Sequence, residues 1–195
     1  MFYNDGKSGF LTVIVGPMAS EKSGELISKL MKAEKYQKQR VCAFKPNIDN
    51  RFADNKLVSR IGLSMDCENL DLNVKISDVE KYIDKYDVFG IDEIQFFDKD
   101  SIISVINYLL DNNKHVMVCG LALDYLGNPF GCIGDVMAIA DEIIQKYAYC
   151  TKCGRPAIHS QMIENGVEVT TRRDIINIGT GYEPRCRLCF KRESE

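Results

Sequence analysis

Three groups of residues in this chain have types and spacings that can do chemistry. The first is a pair of CxxC motifs, Cys150/Cys153 and Cys186/Cys189, separated by 32 residues. Four thiolates so arranged can close a tetrahedron around one Zn²⁺, a structural site with no open coordination position. Two redox-active CxxC pairs are the competing reading, disfavoured because no thioredoxin-like context surrounds them. The second group is GPMASEKS at residues 16–23. It nearly matches the phosphate-loop pattern G-x-x-x-x-G-K-[ST] through Gly16, Lys22 and Ser23. Unpaired amides at a helix start suit an anion, Lys22 would reach the outer phosphates, and Ser23 would ligate Mg²⁺. Glu21 stands where the second glycine belongs. It must accommodate a backbone that favours glycine, and its charge opposes phosphate. At ~5 Å and an effective dielectric near 20, that repulsion is roughly 3 kcal/mol, unless the side chain turns to solvent. A chance match at a strand–helix turn is the alternative.

A third feature is Asp92-Glu93, directly after the apolar run VFGI. An aspartate there can hold Mg²⁺, and Glu93 is a candidate general base for a substrate hydroxyl. An ordinary acidic turn is the alternative, weakened because the pair falls one strand–helix unit after the loop.

Positioning these groups requires alternating elements. FLTVIV (10–15) has the length and β-branching of a buried strand. From Lys22 the apolar period becomes helical, through Leu26, Ile27, Leu30 and Ala33. RVCAFKP (40–46) is the next strand, stopped by Pro46. Residues 47–75 are less legible, with LVSRIGLSM extended or looped. Ser77 and Glu80 form a capping-box pattern that predicts a helix over about 78–85. Strand 88–91, helix 101–112, strand 115–123, loop 127–131 and helix 135–141 follow, then a strand through IIQKYAYC. Such alternation predicts an α/β fold with a parallel sheet covered on both faces. After Cys150 the character changes. Asn165-Gly166 predicts a tight hairpin turn within 158–172. The predicted division is therefore 1–149 and 150–195.

Composition narrows the classes. Of 195 residues, 45% are hydrophobic and 27% charged, with a net charge of -3. That size suits one large domain with an appendage, and the charge gives no reason to expect a nucleic-acid or anionic-membrane partner. No apolar run reaches the ~18 residues of a membrane span, and the polar start MFYNDGKSG lacks a signal-peptide core. The expected location is cytoplasmic. The other cysteines, Cys42, Cys67, Cys119 and Cys132, are scattered singly, as core residues or isolated thiols are.

In order, GPM…S.KS, KPNIDNRF, IDEIQFF, GLALDYLGNPFG, CxxC and YEPRCRLC resemble the zinc-containing (type II) thymidine kinases, from about residue 10 to 190. The resemblance implies a P-loop NTPase-like α/β domain with a small zinc-ribbon and lasso domain. It implies transfer of the γ-phosphate of ATP to the 5′-hydroxyl of thymidine, for nucleotide salvage and DNA synthesis. Gly16, Ser20, Lys22, Ser23, Asp49 and Arg51 would bind ATP phosphates, Ser23 and Asp92 would serve Mg²⁺, and Glu93 would be the catalytic base. Met18, Leu121, Tyr125 and Phe130 would line the base pocket. Ile176, Ile178, Gly179 and Tyr182, in a lasso between the cysteine pairs, would complete it, with Ser160 near the thymine 5-methyl. Cys150, Cys153, Cys186 and Cys189 would hold structural Zn²⁺. A homotetramer is implied.

Departures from the family pattern are Glu21 for glycine, Ala122 for aspartate, Leu126 for a basic or amide residue, Arg60 for histidine, Met162 for arginine and Tyr125 for phenylalanine. Three of them, at 21, 122 and 126, fall near the expected phosphate and nucleoside sites. They keep open a catalytically impaired nucleotide-binding paralogue, or a kinase for another deoxynucleoside.

Overall fold

The computed structural model describes residues 8–48, 55–172 and 181–192. Its centre is a six-stranded, wholly parallel sheet. The strands are β1 (Phe10–Gly16), β2 (Val41–Pro46), β5 (Glu68–Leu70), β6 (Val88–Ile91), β7 (His115–Leu121) and β8 (Glu142–Gln145), in the order β5-β2-β6-β7-β1-β8. The short strands β3 (Lys56–Val58) and β4 (Ser64–Asp66) form an antiparallel hairpin beside it.

Successive side chains of a strand point to opposite faces, so β1, β6 and β7, covered on both, read as continuous apolar runs. Leu11, Val13, Phe44, Phe89 and Ile91 face one core, completed by Ile102, Val105, Ile106 and Leu109 of helix α3 (Lys99–Asp111). Ile14, Ala43, Val88 and Met117 face the other, completed by Leu26, Ile27, Leu30 and Ala33 of α1 (Lys22–Gln37). Gly90 lets α1 approach closely, since a β-carbon there would lie 2.5 Å from Leu30 Cδ1.

Several boundaries differ from expectation for local reasons. The helix predicted from Ser77 is α2 (Ile76–Glu80), and its N-cap is Lys75, whose amide donates to Asp78 Oδ2 at 2.8 Å. It stops at Glu80 because Tyr82, Ile83 and Lys85 donate to carbonyls three residues back, the tighter 3₁₀ pattern. Helix α3 starts before Ser101, because Asp98 caps it by accepting from Ser101 N at 3.0 Å. The helix predicted over 135–141 is α4 (Ile133–Ala138). IIQKYAYC is not one strand: β8 ends at Gln145, and β9 (Ala148–Tyr149) leaves to pair antiparallel with β10 (Pro156–Ala157).

Beyond it, β11 (His159–Glu164) pairs with β12 (Val167–Glu168) through the expected turn. Asn165 and Gly166 both take positive φ, 51° and 79°, as a tight hairpin turn needs. Strand β13 (Tyr182–Arg185) closes on the other side of β11. Ala148, Cys150, Ala157 and Cys186 form a small separate core.

Candidate active site and metal centre

The phosphate-loop candidate leaves the carboxyl end of β1 and enters α1. Ligands of open parallel sheets bind at that edge. Gly16 admits no side chain: a β-carbon would lie 2.6 Å from both Lys146 O and Ser20 Oγ. Ser20 Oγ and Lys22 Nζ each donate to Pro17 O at 2.8 Å, so both fold across the turn. Glu21 takes the left-handed backbone, φ 59° and ψ 38°, that a glycine would take freely, and Ala19 shares it with φ 61°. Non-glycine residues held there cost on the order of 1–3 kcal/mol each. The Glu21 side chain does not wholly escape to solvent. Its Oε2 is buried without a hydrogen-bond partner and lies over Gly24, 3.2 Å from where a β-carbon would be. Ser59 and Ile61 close in from beyond β3. The resulting cleft, about 280 Å³, is lined by Met18, Lys22, Ser23, Glu21, Arg60 and Glu93 among others.

At the end of β6, Asp92 is only 4% exposed. It accepts from Cys119 Sγ at 2.6 Å and from Glu93 N at 2.9 Å, and the Ser23 hydroxyl also bonds it. Burial first, and the neighbouring Glu93 carboxylate second, push Asp92 up to about 6 despite those donors. Glu93 is also left-handed, φ 51°, as it opens a 3₁₀ turn over Ile94–Phe96. Gln95 Nε2 donates to Glu93 Oε2 at 2.7 Å. The arrangement brings Lys22, Ser23 and Glu93 to one cleft, with Asp92 buried behind Ser23: an amine, a hydroxyl and two carboxylates beside a helix N-terminus.

Of the expected nucleoside residues, Met18 and Ser160 meet directly, Met18 N donating to Ser160 Oγ at 2.9 Å. Tyr125 donates to Thr171 O at 3.3 Å, and Tyr182 lies close enough to Tyr125 for its phenol to be raised, by burial first and by Tyr125 second. Leu121 N is tied to Gln95 Oε1, and Phe130 stacks edge-on against Phe96 at 5.6 Å. Asp49, Arg51, Ile176, Ile178 and Gly179 lie outside the described residues. Among the departures, Met162 is buried on β11 opposite Tyr182, and Leu126 N donates to Asp124 Oδ1.

Sequence reading passed over three contributors. Gln95 is one, inside IDEIQFF. Asp124 is another: it accepts from Leu126 N and Asn128 N and so shapes the 122–131 loop. An Asp ahead of Leu-Gly-Asn is a local turn signal that could have shown it. Lys45, 2% exposed, follows Phe44 whose strand partner is Ile91, so it stands level with Asp92. Nothing in RVCAFKP separates such a lysine from a surface one.

The four paired cysteines gather as their spacing implied. All four sulfurs lie within 4.8 Å of one another. Cys153 Sγ is 3.5 Å from Cys186 Sγ and 3.6 Å from Cys189 Sγ. A tetrahedron with Zn–S bonds of ~2.3 Å has edges of about 3.8 Å, so the set fits Zn²⁺. Both knuckles are closed turns: Gly154 N donates to Cys150 O and Phe190 N donates to Cys186 O. Burial opposes ionisation of Cys150, yet amides of Cys186, Lys152 and Cys153 bring it down to about 6. Cys189 is pushed up to about 12, first by its bond with Cys153. Sulfurs this close cannot all ionise unless a cation sits among them.

Among solved structures, domain III of the replication initiation protein DnaA from Thermotoga maritima is similar at 16% identity and a TM-score of 0.45. That match covers 73% of this chain and 56% of the other. The family model for thymidine kinase matches residues 9–190, across both the cleft and the cysteine cluster. The protein is a member of the thymidine kinase family.

Proposed function

We propose that this chain transfers the γ-phosphoryl group of ATP to the 5′-hydroxyl of thymidine, in nucleotide salvage. One observation carries the reading: the Ser23 hydroxyl bonds the buried Asp92 carboxylate within the cleft that Lys22 and Glu93 also line. Catalysis of such a transfer is mostly positioning and charge stabilisation. The amides of the 16–23 loop and Lys22 Nζ take the phosphate oxygens, with Gly16 and Ser20 shaping the turn. Lys22 leaves Pro17 O to do so. Asp49 and Arg51 add contacts to the phosphates. Ser23 and Asp92 would hold Mg²⁺, which would supply neutralising charge for the phosphoryl group in transfer. Glu93 accepts the proton of the nucleoside hydroxyl. Met18, Leu121, Tyr125, Phe130 and Ser160 enclose the base, with Ile176, Ile178, Gly179 and Tyr182 from the lasso. Cys150, Cys153, Cys186 and Cys189 would hold Zn²⁺, which would fix the ribbon that carries Ser160. In this reading residues 1–149 are the catalytic domain and 150–195 the ribbon and lasso. The working form is a cytoplasmic homotetramer.

A second reading rests on Glu21, whose strained backbone and partnerless buried oxygen stand beside the phosphate loop. By that reading the chain binds nucleosides but transfers phosphate poorly. Purified protein with ATP, Mg²⁺ and thymidine decides between them, with deoxyuridine, deoxycytidine and deoxyadenosine run in parallel. Thymidine monophosphate is the expected main product. Thymidine that protects against heat but is never phosphorylated would favour the second reading.

A further inference from the structure

Gln95 lies between Glu93, which lines the cleft, and Leu121, where the 121–131 loop begins. Its side chain is 3% exposed. Nε2 donates to Glu93 Oε2 at 2.7 Å, and Oε1 accepts from Leu121 N at 3.1 Å. Both ends of one amide are therefore used, one on a carboxylate and one on the backbone entering the 121–131 loop. Two glycines close the slot around it. A β-carbon on Gly120 would run into Gln95 Oε1 and Ile94 Cγ2, and one on Gly131 would run into the Gln95 carbonyl. Glu93 itself sits on a left-handed backbone that its own residue type does not favour, a strain the surrounding contacts must hold, and the Gln95 amide restrains its carboxylate. An amide pinned at both ends does that, because neither end can rotate without breaking the other bond.

We propose that Gln95 is a positioning residue which locks the Glu93 carboxylate to the start of the nucleoside loop, so that the base and the substrate loop move together. This rests on the kinase reading for its effect on rate, while the lock itself is measurable without turnover. A carboxylate free to rotate loses its aim at the substrate hydroxyl, and a misplacement of about 1 Å costs up to roughly 100-fold.

Two variants separate the ends of the amide. Gln95→Met removes both bonds at similar volume. Gln95→Glu keeps an acceptor for Leu121 N but cannot donate to Glu93. Amide hydrogen exchange by NMR on the full-length, zinc-loaded protein should show Leu121 exchanging faster in Gln95→Met and protected as in the parent in Gln95→Glu. Steady-state kinetics should show kcat lowered 10- to 100-fold in both, with KM for ATP within about twofold of the parent and KM for the nucleoside raised only in Gln95→Met. A merely structural glutamine would instead lower the folded fraction and leave kcat per active molecule unchanged. Unaltered Leu121 exchange in folded Gln95→Met, or kcat per active molecule within twofold of the parent in both variants, overturns the proposal. A parent enzyme that phosphorylates none of the four nucleosides defeats the kinase reading instead, and the exchange of Leu121 still decides whether the lock exists.

Discussion

Glu21 and Asp92 each set a carboxyl group beside the phosphate loop, and each can be tested by removing it. Glu21→Gly deletes the like charge and supplies the residue that the left-handed backbone favours. ATP affinity should rise ten- to hundredfold by calorimetric titration, in line with a repulsion of roughly 3 kcal/mol reduced by partial exposure. Unchanged affinity would mean that the carboxylate does not face the polyphosphate. Asp92 is tested through pH. Its pKa is raised to about 6 from 3.8, so its contribution to folding is fully present below pH ~4 and is lost as pH rises through about 6. His115 slopes the other way. Burial lowers it to about 4 from 6.5, so its contribution is present above pH ~6.5 and is lost as pH falls towards 4. Comparing Asp92→Asn with the parent cancels the histidine. The difference in Tm should grow between pH 4 and 7 in favour of the variant, corresponding to at most about 3 kcal/mol. Phosphoryl transfer should fall by about 100- to 1000-fold in the same variant. A variant less stable than the parent at pH 7 would show that Asp92 stabilises the resting fold.

At the scale of elements, close approach between helix and sheet decides where a side chain can be added. Gly90 and Gly134 make a matched contrast. Alanine at 90 would press on Leu30 Cδ1 at 2.5 Å, whereas alanine at 134, in α4, meets nothing within 4 Å. Gly90→Ala should destabilise by about 1–3 kcal/mol through overpacking. Gly134→Ala should stabilise by roughly 0.5–1 kcal/mol through helix propensity. Urea melts of the two proteins check both signs. The elements themselves were largely legible, because β1, β7 and α1 are long and strongly patterned, and the four-residue β6 is a continuous buried apolar run. Helix starts were misplaced: α2 and α3 begin where Asp78 and Asp98 accept backbone amides, and several side chains nearby offered the same chemistry.

For the whole molecule, the cysteine cluster binds distant parts of the chain together. Cys150 and Cys153 sit on one knuckle, Cys186 and Cys189 on another, and β11 between them carries Ser160 to Met18 in the cleft. Metal loss should therefore reach beyond the ribbon. A strong chelator is expected to release one Zn²⁺ per chain, read by a metallochromic dye, and to raise KM for the nucleoside as the Ser160–Met18 bond loosens. Eight titratable thiols with no metal released would refute the zinc assignment. The chain has no helix, among the described residues, long and apolar enough to cross a membrane.

Motif chemistry and its order along the chain were determined by sequence alone: the phosphate-loop candidate, the acidic pair, the cysteine pairs and the alternation of strand and helix. These signals are local, set by residue type at fixed short spacing, and the thymidine kinase family match agrees with them. Tertiary structure decided the rest. It turned Glu21 left-handed with one oxygen buried, placed Cys119 and Ser23 against Asp92, and joined Glu93 to Leu121 through Gln95. Those contacts depend on strands far apart in the chain lying side by side, and on which face each side chain meets. A single sequence carries no record of such distances, because many neighbours would satisfy the same pattern of apolar and polar residues.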